Sequence, residues 1–118
     1  MATLCSFLDS NFRNQWVRYG PADVYVRKGN HILNGELLHT FDIANINIAN
    51  EEQQQKGVFT AMVCELRELL TFEYNEYHAL YVENVQTKYF ANHLRRRGWI
   101  ECAPIELPSF FMTIREKI

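Results

Sequence analysis

Only three prolines and five glycines punctuate the 118-residue chain, too few and too scattered for a linker, a low-complexity tract or a repeat array. A single domain over residues 1–118 is expected. Cysteine is scarce too: Cys5, Cys64 and Cys102 are odd in number, far apart and in no C-x-x-C pair. That fits a reducing, cytoplasmic setting better than a disulfide framework. An excess of positive charge is also missing, with 12 Lys and Arg against 14 Asp and Glu for a net charge of −2, so nucleic acid is not the expected partner. No apolar run approaches the roughly 18 residues of a membrane helix, and Met1 to Ser10 lacks the basic residue of a signal peptide. Apolar residues, in contrast, make up 47% of the chain. A chain of this size buries about two-thirds of its unfolded surface and needs no metal to hold its core.

Hydrophobic spacing divides the chain into elements. Leu4, Phe7, Leu8, Phe12 and Trp16 recur at three- and four-residue steps behind Thr3 as N-cap, which predicts an amphipathic helix stopped by Gly20-Pro21. Asp23 to Leu33 alternates as a strand, and Asn34-Gly35 supplies the two positive-φ residues of a type I′ hairpin turn. On the returning strand, Phe41 and Ile43 are apolar at odd positions whereas Ile46 and Ile48 are apolar at even ones. The slip near Ala44-Asn45 fits a β-bulge, a feature frequent beside ligand sites, or a strand buried on both faces. Gly57 to Phe72 has helical periodicity, with Phe59, Met62, Val63, Leu66 and Leu70 on one stripe. A strand from His78 to Glu83 follows, then a helix from about Gln86 to Arg97 closed by Gly98, then strands near Trp99–Ala103 and Ser109–Arg115. This order predicts a mixed α/β (α+β) sandwich with at least one parallel crossover.

The polar stretch Glu51-Glu52-Gln53-Gln54-Gln55-Lys56-Gly57 runs into a helix N-terminus, where unpaired backbone N–H groups and the helix dipole favour an anion. Gln54-Gln55-Lys56-Gly57-Val58-Phe59 resembles the Q/R-x-x-G-x-G/A pyrophosphate loop of the GCN5-related N-acetyltransferase superfamily, with Phe59 in place of the last small residue. Leu80-Tyr81-Val82-Glu83-Asn84 and the helix ending Leu94-Arg95-Arg96-Arg97-Gly98-Trp99 are similar to that superfamily's next strand, next helix and Gly-aromatic pair. The resemblance covers Glu36 to Trp99, and the short form is similar to acetyltransferase-like proteins carried by bacterial viruses.

The resemblance implies the superfamily's fold, a twisted mixed sheet flanked by helices, with acetyl-CoA held where Thr40–Ile48 and His78–Glu83 part. Backbone from Gln54 through Thr60, namely Gln54, Gln55, Lys56, Gly57, Val58, Phe59 and Thr60, would hold the pyrophosphate. Ile46, Asn47 and Ile48 would pair with the pantetheine arm, and Asn84 would face its far side. Transfer to an amine needs a base, an oxyanion donor and an acid for the departing thiolate. Asp42 and Glu83 are the candidate bases. The family's usual Tyr acid is Leu94 here and a frequent Asn is Thr87, leaving Tyr89 and His93 as substitutes, with His93 expected as a surface or boundary residue.

No metal is expected, because His31, His39, His78 and His93 show no ligand spacing. Phe72, Tyr74, Tyr77 and Tyr81 read as packing around a core strand, and Arg95 to Arg97 as a solvated helix end. The acceptor amine, small molecule or protein, is unreadable. Only one helix precedes Val24, so the acceptor side is expected to be open or completed by a second subunit. The alternative is an interaction protein on the same fold that binds and modulates another protein; Leu94 and Phe59 favour it, Gly57 the enzyme.

Overall fold

Alternating apolar residues on the chain's longest strands build one sheet, and the helices pack on one of its faces. The computed structural model describes residues 2–48, 52–85, 87–102 and 107–114, with backbone alone for 48 and 52–56. The elements run α1 (Leu4–Asp9), β1 (Asn14–Tyr19), β2 (Ala22–Leu33), β3 (Glu36–Ile48), α2 (Glu52–Phe72), β4 (Ala79–Val82), α3 (Lys88–Arg96), β5 (Ile100–Cys102) and β6 (Ser109–Thr113). Their order in the six-stranded sheet is β1-β2-β3-β4-β6-β5. Among the described strands only β3 and β4 pair in parallel, joined by the α2 crossover. This is the mixed α+β architecture expected from the sequence.

The first segment departs from expectation. Thr3 does cap a helix, in a capping box with Ser6, but α1 stops at Asp9. Trp16 lies on the edge strand β1 instead, and Gly20-Pro21 forms a hairpin with β2 in which Gly20 has φ +54°. Phe12 and Trp16 are exposed, so their helical spacing does not reflect a buried stripe. The next hairpin matches its turn signal: Asn34 and Gly35 have φ of +52° and +79°, and Leu33 pairs with Glu36.

Leu4, Phe7 and Leu8 of α1, the expected stripe of α2 and Phe90, Ala91 and Leu94 of α3 form one core with Val24, Val26, Phe41, Ile43, Leu80, Val82 and Phe110 of the sheet. The opposite sheet face buries Leu33, Ala79 and Phe111 and carries no helix among the described residues. α3 ends in a Schellman turn: Gly98 has φ +85°, its N–H donates to the Arg95 carbonyl, and the Trp99 N–H donates to that of Leu94. No helix among the described residues is long and apolar enough to cross a membrane.

α2 begins at Glu52, not at Gly57. Gln54, Gln55 and Lys56 are therefore helical, where a loop was expected, and Gly57, Val58, Phe59 and Thr60 lie within the helix instead of at its start. Glu, Gln and Lys are good helix formers, so this polar run extends the helix towards its own start. Glu51, Gln86, Ala103 and Arg115, which bounded expected segments, lie outside the described residues.

Candidate functional site

The phase slip on β3 opens the site. Val26 pairs with Ile43 but Tyr25 pairs with Asn45, so Ala44 is an extra residue on β3, a bulge at the expected position. The parallel ladder with β4 runs from Thr40/Ala79 to Ile43/Val82 and closes with the Glu83 N–H donating to the Ile43 carbonyl at 3.2 Å. Beyond that rung β3 stays with β2 as far as Ile48. The other chain turns away at Asn84, whose φ is +53°. Its backbone N–H donates to Ser109 Oγ at 3.1 Å, and the Val85 N–H to the Pro108 carbonyl at 2.8 Å.

The parting strands enclose a cleft of about 310 Å³ lined by Ile43, Ala44, Asn45 and Ile46 on one side and Val82, Glu83, Asn84 and Val85 on the other, with Thr87 and Phe90 of α3. Beyond Ile43 no described strand pairs with the β3 edge that faces the cleft. Its backbone groups suit an amide-containing arm laid alongside as an added strand. Thr87 N-caps α3, its Oγ1 accepting from the Phe90 N–H at 3.2 Å, which leaves its hydroxyl hydrogen available to donate.

Among the expected site residues, Ile46, Glu83 and Asn84 meet at this cleft. Asn47 follows on exposed strand, and Ile48 pairs through its backbone with Ala22. Glu83 is held by Arg27, whose Nη1 lies 2.9 and 3.0 Å from its two carboxylate oxygens. Phe59 faces the core, edge-on to Phe90 with centroids 5.0 Å apart. Gly57 is exposed with open space where a Cβ would lie, and Val58 and Thr60 are half-buried on the helix. The side chains of Gln54, Gln55 and Lys56 lie outside the described residues.

Tyr89 is 40% exposed and does not line the cleft, whereas His93, expected at the surface or its boundary, is buried beside Phe90. Leu94, at the family's acid position, is fully buried core. The four expected packing aromatics do not form one cluster: Phe72 is exposed and Tyr77 is buried, stacked on His39.

Asp42 is not in the cleft. It is 1% exposed on the helix-free face, with Oδ1 accepting from Thr40 Oγ1 at 2.6 Å and Oδ2 lying 2.8 Å from His31 Nε2. The His31 ring stacks on Tyr81, with centroids 3.8 Å apart and planes 8° from parallel. Burial pushes the Tyr81 hydroxyl up, and a hydrogen bond with Ser109 partly offsets that. Burial likewise raises the Cys102 thiol beside it. The sequence reading weighed His31 only as a metal ligand and Tyr81 as packing, and gave Arg27 no role; the available signal was Gly29, a strand-interior glycine that marks a close approach. Among the described residues no cluster of His, Cys, Asp or Glu is placed to hold a metal ion.

A mixed sheet whose one parallel pair splays at a bulge, with the crossover helix following it, is the fold of the GCN5-related N-acetyltransferases. It is shared with a point mutant of the AtaT toxin bound to the C-terminus of the antitoxin AtaR and acetyl-CoA, at TM-score 0.59 and 7% identity over 79% of this chain. It is shared equally with the KacTA–DNA complex, at TM-score 0.59 and 11% identity, again over 79% of this chain. In each case the chain covers 58% of the neighbour's length. No family model matches the chain, and no curated protein matches it in sequence.

Proposed function

We propose that the protein is an acetyl-CoA-dependent N-acetyltransferase. The observation that carries this reading is the cleft at the Ala44 bulge between the one parallel strand pair, on a fold shared with a toxin bound to acetyl-CoA. Acetyl-CoA would supply an activated thioester. The free β3 edge, with Ile46, Asn47 and Ile48, would hold the extended arm, and Asn84 would close its far side. A bulge leaves its extra residue out of the ladder, so the Ala44 backbone N–H is the candidate oxyanion donor. The Thr87 hydroxyl would donate towards the departing sulfur, a role for which Leu94 has no polar atom. Glu83, fixed by Arg27, would bind the acceptor's ammonium at the cleft mouth.

The early start of α2 relocates the anion site. The N–H groups without intrahelical partners belong to the first turn, at Glu52 to Gln55, while those of Gly57 to Thr60 lie within the helix. The pyrophosphate would therefore meet the Glu52–Gln55 end, with Gln54 and Gln55 the expected residues that remain. A second reading draws on the same observation: with Gly57 inside a helix, the chain would be an interaction protein on the acetyltransferase fold, binding a protein segment as AtaT binds the C-terminus of AtaR.

Thiol release from acetyl-CoA in the presence of primary amines separates the two. Release that is accelerated by the protein and abolished by Ala44→Leu supports the transferase. A folded protein that never exceeds the uncatalysed rate contradicts it.

A further inference from the structure

We propose that the acceptor is a free α-amino acid whose ammonium is held by Glu83 and whose carboxylate is held by Arg27, an inference that rests on the transferase reading above. The position of this ion pair carries it. Arg27 stands opposite Asp42 on the β2–β3 ladder, while Glu83, just past β4, donates its N–H to the Ile43 carbonyl and lines the cleft where the strands part. Because β3 lies between β2 and β4, the contact crosses β3 at the last rung before the Ala44 bulge. The two side chains are 35% and 21% exposed, so an acceptor entering the cleft mouth can reach both.

Their hydrogen bonds leave room for a ligand. Arg27 uses one nitrogen on Glu83, with Nη1 lying 2.9 and 3.0 Å from the two carboxylate oxygens. The N–H groups on Nε and Nη2 have no hydrogen-bond partner among the described residues, and that edge is the planar fork that matches a carboxylate. Each Glu83 oxygen has a second lone pair for an ammonium. Tyr25 supports the guanidinium from β2, its ring centroid 5.9 Å from Arg27 Cζ.

Charge then decides which amine fits. A plain cation at the mouth is attracted by Glu83 and repelled by Arg27, so a neutral pair gives it little. A zwitterion laid antiparallel to the pair satisfies both ends. In the transfer, the ammonium loses one proton to water and the freed lone pair forms the C–N bond to the thioester carbon. The C–S bond breaks with its electrons on sulfur, which takes the second nitrogen proton as the thiol. The product keeps its carboxylate but has lost the ammonium that Glu83 holds, which favours its release.

The test uses the full chain with acetyl-CoA and glycine, leucine and glutamate, each beside its α-amide, which keeps the ammonium and lacks the carboxylate. Butylamine is the plain-amine control. Thiol release gives kcat/KM for each acceptor, divided by the uncatalysed rate of the same amine, and calorimetry gives acetyl-CoA affinity. The wild-type protein should prefer at least one acid over its amide by about 10-fold or more, and Arg27→Gln should remove most of that preference. Glu83→Gln should lower acid and amide together. If Arg27 did no more than hold Glu83, Arg27→Gln would lower acid and amide alike and keep the preference, and that result overturns the proposal. A wild-type protein that uses butylamine or the amides as well as every acid overturns it whatever the variants do, while the transferase reading stands. Failure to bind acetyl-CoA, or no thiol release to any amine, overturns the transferase reading itself.

Discussion

At Gly29 the chain has no side chain, and the Asp42 carboxylate fills the space a methyl group would take, 2.6 Å from where a Cβ would lie. Because that carboxylate is fixed by Thr40 and His31, it cannot swing aside at little cost. Gly29→Ala should destabilise the fold by about 1–3 kcal/mol in urea denaturation and break the contact between His31 and Asp42. The sequence pointed to Asp42 but not to its partner, for a geometric reason. The hairpin register sets His31 opposite Leu38, four residues from Asp42, beyond the usual diagonal reach across strands. Only the gap at Gly29 brings the two side chains together. Tyr77 offers a separate pH test: burial pushes its hydroxyl from 10 up to about 12. The folded state thus binds this proton more tightly than the unfolded state. The stabilisation is complete below pH 10 and lost as pH rises towards 12. Stability measured across that window should fall, and Tyr77→Phe should flatten the part of the fall that this hydroxyl causes.

Elements with a strong periodic stripe were legible, and those without one were not. The α2 stripe from Phe59 to Leu70 is buried as expected, and the bulge appears where the apolar phase slips. β1 was illegible because it is an edge strand whose one fully buried residue is Val17, which is too little alternation to outweigh the helical spacing of Phe12 and Trp16. The start of α2 was misread because Gly57 looked like punctuation, yet it sits within the helix and is exposed, with open space where a Cβ would lie. Gly57→Ala should therefore raise thermal stability, by up to about 1 kcal/mol. A pyrophosphate loop at that glycine would instead make the change costly to acetyl-CoA binding. At the other end of the site, Gly98→Ala should lower stability by about 1 kcal/mol, because the Schellman turn of α3 holds that residue at φ +85°. Differential scanning calorimetry of the two variants reads the opposite signs directly.

Across the whole molecule, the helices crowd one sheet face, and the opposite face presents Arg27, His31, Asp42, Tyr81 and Glu83, of which Glu83 lines the cleft between β3 and β4. The chain spans 58% of the length of the AtaT and KacTA chains it is similar to. The resemblance could foresee the splayed strands, because order and spacing of elements are local signals. It could not foresee which side chains from the neighbouring hairpin would stand at the opening, since tertiary packing decides that. Calorimetric titration of the folded protein with acetyl-CoA, beside Ala44→Leu, tests the central claim most directly. The account predicts micromolar binding, about −8 kcal/mol, that is lost when the added side chain fills the cleft at the bulge. No binding at millimolar acetyl-CoA, or equal binding by the variant, would contradict it.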